Sequence, residues 1–174
     1  MNSKRLTHLS KRFFKALWPV APSSLDTQWA EGYLWAGERT LFAALPNHDR
    51  RHLIAVARSV DSSLGELSEE CWIAAALLHD VGKNNAHLSP IGRAMATIWI
   101  EIKGLDALSR SQGRWSKRVY LYSQHPSLGC DDIRRWGGHE EAAIWAGAHQ
   151  DRSLWPATGF AGFVIEALTE ADDD

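Results

Sequence analysis

The chain has 174 residues, 45 % of them hydrophobic, which is enough for one domain with a substantial core and too few for two ordinary ones. Its formal charge of -2, with both signs interspersed, gives no global signal for a nucleic-acid polymer or an anionic membrane, and no run approaches the roughly 18 apolar residues of a spanning helix. Only Cys71 and Cys130 are present, without a CxxC pair, and the N-terminus lacks a continuous apolar signal region, so a disulfide scaffold, a thiolate zinc site and a secreted protein are set aside in favour of a cytoplasmic domain.

In chain order, residues 1–22 are expected to form a basic amphipathic helix packed on the domain. Leu6, Leu9, Phe13, Phe14 and Leu17 recur near helical spacing with Lys4, Arg5, Lys11, Arg12 and Lys15 between them, and Pro19 ends the run. The same pattern fits contact with a membrane surface or a protein. Residues 25–44 read as helix, with Leu25, Trp29, Leu34, Leu41, Phe42 and Leu45 as core positions. A helix over about 49–64 places His52, Val56 and Val60 on one face. Ser68 starts the next, whose Cys71, Ala74, Ala75, Leu78 and Val81 share a stripe and which Gly82 terminates; it is apolar on most sides and therefore central. Pro90 opens a helix with Ile91, Met95, Ile98, Trp99 and Ile102 inside, residues 104–113 are the most loop-like stretch, and residues 115–124 form a short helix ending near His125-Pro126. Pro126 sits in the first turn of the following helix, Gly137-Gly138 breaks it, and residues 139–149 resume helix, with His139 at its exposed start. Residues 160–171 form the last helix, with Phe160, Phe163, Val164, Ala167 and Leu168 inward; Trp72, Trp99 and Trp145 also suit core packing. No β-alternation appears, and the expected fold is all-α, one domain of about eight helices.

The segment LLHDVGK at residues 77–83 sets an imidazole beside a carboxylate in the most hydrophobic part of the chain. An ionised carboxylate buried without a partner is costly enough to shift its pKa or be relocated, and a bound cation is one way to keep it. Adjacent helical positions point about 100° apart, so His79 and Asp80 reach one ion only across the helix end or between their directions, with further ligands arriving from other helices. The alternative is a histidine bonded to a neighbouring carbonyl and an aspartate in an internal ion pair or cap. Further ligand types stand on other elements: His52 on an apolar face, His125 at a helix break, His149 at the end of an alanine-rich helix and Asp172 one turn after Leu168. Imidazole and carboxylate together suit divalent Mn, Fe, Co, Ni or Zn, with Mg possible.

His52, then His79-Asp80, then Asp172 in ALTEADD resembles the H…HD…D pattern of the HD-domain metal-dependent phosphohydrolase superfamily, and LLHDVGK is very like its central segment. SQHPSLG is similar to the HPxxG segment of members with extra metal ligands, and AGAH, ending at His149, extends a likeness that spans about residues 48–172. The KRFFKALWP, DRRH and GRAMATIW elements also look like a small group of poorly characterised bacterial HD proteins. The resemblance implies an HD-type hydrolase domain over residues 23–172, with His52, His79, Asp80 and Asp172 as ligands of one metal. It further implies a second ion held by His125 and His149, with Asp80 bridging the two.

The activity implied is that of a metal-dependent phosphohydrolase, a phosphomonoesterase or phosphodiesterase, acting on a small phosphorylated metabolite or nucleotide, with metal-activated water attacking phosphorus. Asp80 and Lys83 are then the catalytic candidates; Lys83, one turn after His79, can bring its ammonium to phosphate, although a lysine near a helix C-terminus is also favourable without any ligand. Arg93, His87 and Trp155 are further candidates for substrate contact, through a guanidinium fork, an imidazole and an aromatic face. Two departures matter: Gln150 stands where many dinuclear relatives have a second histidine, and QDRSLWP lacks the GYP segment of the cyclic-di-GMP phosphodiesterase branch. A dinuclear-iron oxygenase on the same scaffold and a degenerate nucleotide-binding or interaction module are the alternative functions.

Overall fold

A computed structural model of the chain describes residues 20–173. The basic helix expected before Pro19 lies outside them. The described residues are all-α, without a strand: α1 (Ser24–Glu31), α2 (Ala36–Ala43), α3 (Asn47–Leu64), α4 (Glu70–Leu78), α5 (Pro90–Lys103), α6 (Leu105–Ser109), α7 (Arg114–Ser123), α8 (His125–Arg135), α9 (Glu140–Ala148) and α10 (Gly162–Asp173). Three 3₁₀ segments, Gly65–Leu67, Val81–Ala86 and Arg152–Thr158, join them.

The centre is α4, whose residues from Ile73 to Leu78 are all buried. It packs between α3 and α9, α8 covers α9, and α10 lies along α3. A second, smaller apolar cluster of Ala86, Leu88, Ala96, Leu108 and Val119 is built by the 3₁₀ turn after α4 together with α5, α6 and α7. The short α6 occupies part of the stretch read as loop, because Leu108 anchors it in this cluster.

Further expectations are corrected. Residues 25–44 form two helices, because Trp35 is extended and its N–H donates to Glu38 Oε2 at 2.8 Å, opening a new helix at Ala36. Leu25 is left exposed, as is Phe163 on α10. On α5, Ile91, Met95, Ile98, Trp99 and Ile102 point outward; Ala96 on the opposite face is the helix's one buried residue. Helical period identified a common face for these residues without deciding which side the domain would cover.

His139 is buried rather than exposed. Its backbone N–H donates to Glu38 Oε1 at 2.7 Å, and its ring Nδ1 lies 2.9 Å from the same carboxylate. The Trp35 ring rests on the imidazole, with centroids 3.9 Å apart. Glu38, fully buried, therefore ties the start of α2 to the start of α9. Glu38→Ala is expected to lower stability by about 3 kcal/mol, since it leaves two backbone N–H groups and an imidazole without an acceptor. Glu38→Gln, which keeps one oxygen, is expected to lose about half as much; chemical denaturation of the two variants checks the order.

Candidate metal centre

The six candidate ligands arrive mainly on helix ends. His79 caps the C-terminus of α4 and Asp80 follows it; His149 caps the C-terminus of α9; Asp172 lies in the last turn of α10; His125 opens α8; His52 projects from within α3. Helix C-termini carry unsatisfied carbonyls and partial negative charge, so three of them at one place favour a cation.

The sequence explains how these ends meet. Gly82, read from sequence as a helix terminator, serves a closer purpose: a Cβ there would lie 2.0 Å from the His125 carbonyl oxygen and 2.6 Å from Gly129 N. The turn after α4 thus rests directly on the first turns of α8, which brings His125 to Asp80. On the far side of that contact, a Cβ at Gly129 would sit 3.2 Å from Gly82 N.

Three of the imidazoles are oriented alike. His79 Nδ1 lies 2.9 Å from the Ala76 carbonyl, His125 Nδ1 2.7 Å from that of Tyr122, and His149 Nδ1 2.9 Å from that of Ala146. A carbonyl only accepts, so Nδ1 carries the proton in each ring and Nε2 presents its lone pair when the ring is neutral. Tyr122 also stacks on His125, at 5.6 Å between centroids.

The three Nε2 atoms converge on Asp80. His125 and His149 approach Oδ1 at 3.5 and 3.4 Å, and His79 approaches Oδ2 at 3.5 Å. His79 Nε2 is also 3.7 Å from Asp172 Oδ1, which lies 3.2 Å from His52 Nε2. His52, His79 and Asp80 form one group of ligand atoms mutually within 4.8 Å, and Asp80, His125 and His149 form another. Asp80 belongs to both and turns a different oxygen to each. His79 Nε2, Asp80 Oδ1, His125 Nε2 and His149 Nε2 are buried and have no hydrogen-bond partner. Lone pairs of neutral imidazoles facing a carboxylate are mutually unfavourable unless a cation or protons stand between them. The donor set, nitrogen and carboxylate together, fits a divalent transition metal.

The titration behaviour follows the same geometry. Burial alone would push Asp80 upward, but the Lys83 ammonium and the surrounding imidazoles hold it well below the usual carboxylate range. Burial disfavours the charged form of His79, yet the Asp80 carboxylate outweighs it and shifts the pKa up. Burial lowers that of His125 and keeps it neutral. Asp172 is likewise drawn down, burial being overcome by the His52 hydrogen bond and the charge of His79. A cation at Nε2 would compete with a proton there, so metal affinity is expected to weaken as the pH falls.

Lys83 contacts Asp80 Oδ2 directly. Trp155, with His79, Trp145, His149, Leu168 and Asp172, lines a cleft beside the cluster, to which Gln150 and Arg152 also contribute. Trp155 is held by its Nε1–H to the Ala148 carbonyl at 3.2 Å, and the Arg152 guanidinium lies over its ring at 5.3 Å. Arg152 was not legible as a site residue, because nothing in its spacing sets it apart. Arg93 is paired close to the cluster: both terminal nitrogens donate to Asp49 at 2.7 Å, fastening the start of α5 to the start of α3, while its buried Nε has no hydrogen-bond partner and its charge is felt at Asp80 and Lys83. His87 stands exposed at the end of the 3₁₀ turn with φ 49° and belongs to neither ligand group. No family model, curated protein or solved structure matches this chain. No helix of the described residues is long and apolar enough to cross a membrane.

Proposed function

We propose that the chain is a metal-dependent phosphohydrolase of the HD type, acting on a small phosphorylated metabolite or nucleotide. The observation that carries this reading is the convergence of three Nδ1-protonated imidazoles and their Nε2 lone pairs on Asp80, with His52 and Asp172 beside them. His52, His79, Asp80 and Asp172 would hold one ion, and Asp80, His125 and His149 a second. Such ions supply a water that loses its proton near neutral pH and positive charge to offset the phosphoryl oxygens.

The remaining side chains support phosphate as the substrate group. Lys83 contacts Asp80 Oδ2, and a cation held by that carboxylate would compete with the ammonium and leave it available to a bound anion. The cleft beside His149 and Asp172 offers the Trp155 face and the Arg152 guanidinium for the rest of the substrate. Arg93, held in place by Asp49 and close enough to act on Asp80 and Lys83, would add positive charge for a bound phosphate. In cleavage at phosphorus, Lys83 would be among the cations facing the charge that develops there.

Metal analysis of anaerobically purified protein, followed by a broad phosphoester and nucleotide screen, tests the proposal. The expected result is bound transition metal and phosphoester cleavage. A protein that carries no metal and stays inactive after reconstitution with Mn, Fe, Co, Ni and Zn would sink it, and oxygen uptake dependent on reduced iron without phosphate release would transfer the assignment to an oxygenase. Lys83→Met is expected to lower kcat/KM by about 10²-fold while metal content stays unchanged, the signature of lost charge stabilisation rather than a lost ligand.

A further inference from the structure

The outward face of α5 is an apolar stripe that the proposed function leaves unused. Ile91, Met95, Ile98 and Ile102 follow one another at steps of four, three and four, the alternation of a helix-pairing seam, and Trp99 flanks them. All five are between 37 % and 67 % exposed. The stripe lies opposite the side that packs on the domain, where Ala96 is buried and α7 rests against the helix. The helix is therefore apolar on both sides, which a helix finishing a domain is not.

We propose that this face is a homodimer interface, in which α5 of one chain pairs with α5 of a second copy about a twofold axis. Three observations select a second copy over other occupants. The seam contains no charged residue, as the centre of a protein–protein contact requires. Its spacing is self-complementary, so the same residues meet across a twofold. Finally, five side chains exposed to this degree present on the order of 600 Å² per chain, so pairing removes about 1,200 Å², the lower bound of a stable interface. A helix lying on an anionic membrane would instead need a basic polar face opposite its apolar one. Here that opposite side is packed on α7, and Arg93, the one arginine of α5, is bound to Asp49.

The pairing has a structural link to the metal centre. Arg93 joins α5 to Asp49, three residues before His52 on α3, so the same helix that meets the second copy also braces a ligand-bearing helix.

Light scattering on the full chain across a micromolar dilution series tests the proposal, together with Ile98→Glu, Ile102→Glu and Ile98→Cys. The expected mass is twice the 19.4 kDa of the chain, falling to the single-chain mass in both glutamate variants with helix content and bound metal unchanged. A bismaleimide is expected to link Ile98→Cys into a covalent dimer, well above the background of the parent chain with Cys71 and Cys130. A monomeric wild-type chain overturns the proposal whatever the variants do. In that case, protection of the α5 face from hydrogen exchange that is lost on deleting residues 1–19 would assign it to that segment, and flotation with phosphatidylglycerol vesicles would assign it to a membrane surface. A dimer that survives both glutamate substitutions also overturns it.

Discussion

Asp80→Ala is expected to abolish phosphoester cleavage and to strip metal from both halves of the site. No other candidate ligand is common to the two groups: Oδ1 faces His125 and His149, while Oδ2 faces His79 and Lys83. Removing either His52 or His149 leaves the opposite group intact; removing Asp80 leaves neither. If the ions contribute several kcal/mol to the transition state, their loss lowers kcat/KM by at least about 10³-fold. Mass-spectrometric metal content and turnover on the best substrate of the screen are the paired measurements. Chelation supplies an independent check, because a ligand that binds only the folded state raises the unfolding temperature. A chelator should lower that temperature in the parent protein and leave Asp80→Ala unmoved. Full metal content in Asp80→Ala would contradict the shared-ligand reading, whatever happened to activity.

The second large effect is expected from a methyl group. Gly82→Ala introduces a Cβ that meets the His125 carbonyl at 2.0 Å and the Gly129 nitrogen at 2.6 Å. Both are backbone atoms, so no rotamer change relieves the clash, and the turn must move away from α8. We expect a loss of about 3 kcal/mol, which lowers the thermal midpoint by on the order of 10 °C. The same displacement widens the 3.5 Å approach of His125 to Asp80. Metal retained by the His52, His79 and Asp172 side, with weakened binding at the His125 and His149 side, is therefore the specific signature. Gly129→Ala is the control. Its Cβ would meet Gly82 N at 3.2 Å and the Ala146 methyl at 3.6 Å, a tight contact and not a collision, and a milder loss is expected. Equal effects from the two substitutions would mean that the turn does not rest on α8 as described.

The helical class and the central position of α4 were legible because apolar residues run through that segment on nearly every side. The ligands were legible as types: an imidazole on an apolar face, a histidine before a proline and an aspartate at a helix end each look out of place. Their meeting was implied only by the family resemblance and could not be read from spacing, since it depends on Gly82 and Gly129 letting two backbones touch, and a glycine chosen for closeness reads the same in sequence as one chosen to end a helix. Glu38 and His139 were hidden for a related reason. Residues 101 apart form one buried network, and no local pattern marks either as a partner. On α5 the period was correct while the buried side was assigned wrongly, because a helix at the edge of the molecule can carry its larger apolar stripe outward. Arg93 shows what residue type alone leaves out: the guanidinium near the candidate phosphate site is also fastened to Asp49, a partner no local pattern marks.

The main-chain carbonyls of Ala76, Tyr122 and Ala146 fix the tautomers of His79, His125 and His149. Since a carbonyl is present whatever residue occupies the position, the supporting layer of those three imidazoles offers almost no target to point mutation. A random mutagenesis screen for lost metal should therefore return the ligands and the close-packed glycines, with very few hits between. For anyone transplanting those three imidazoles into another helical protein, the specification begins with helix ends and their spacing, because main-chain carbonyls orient the rings.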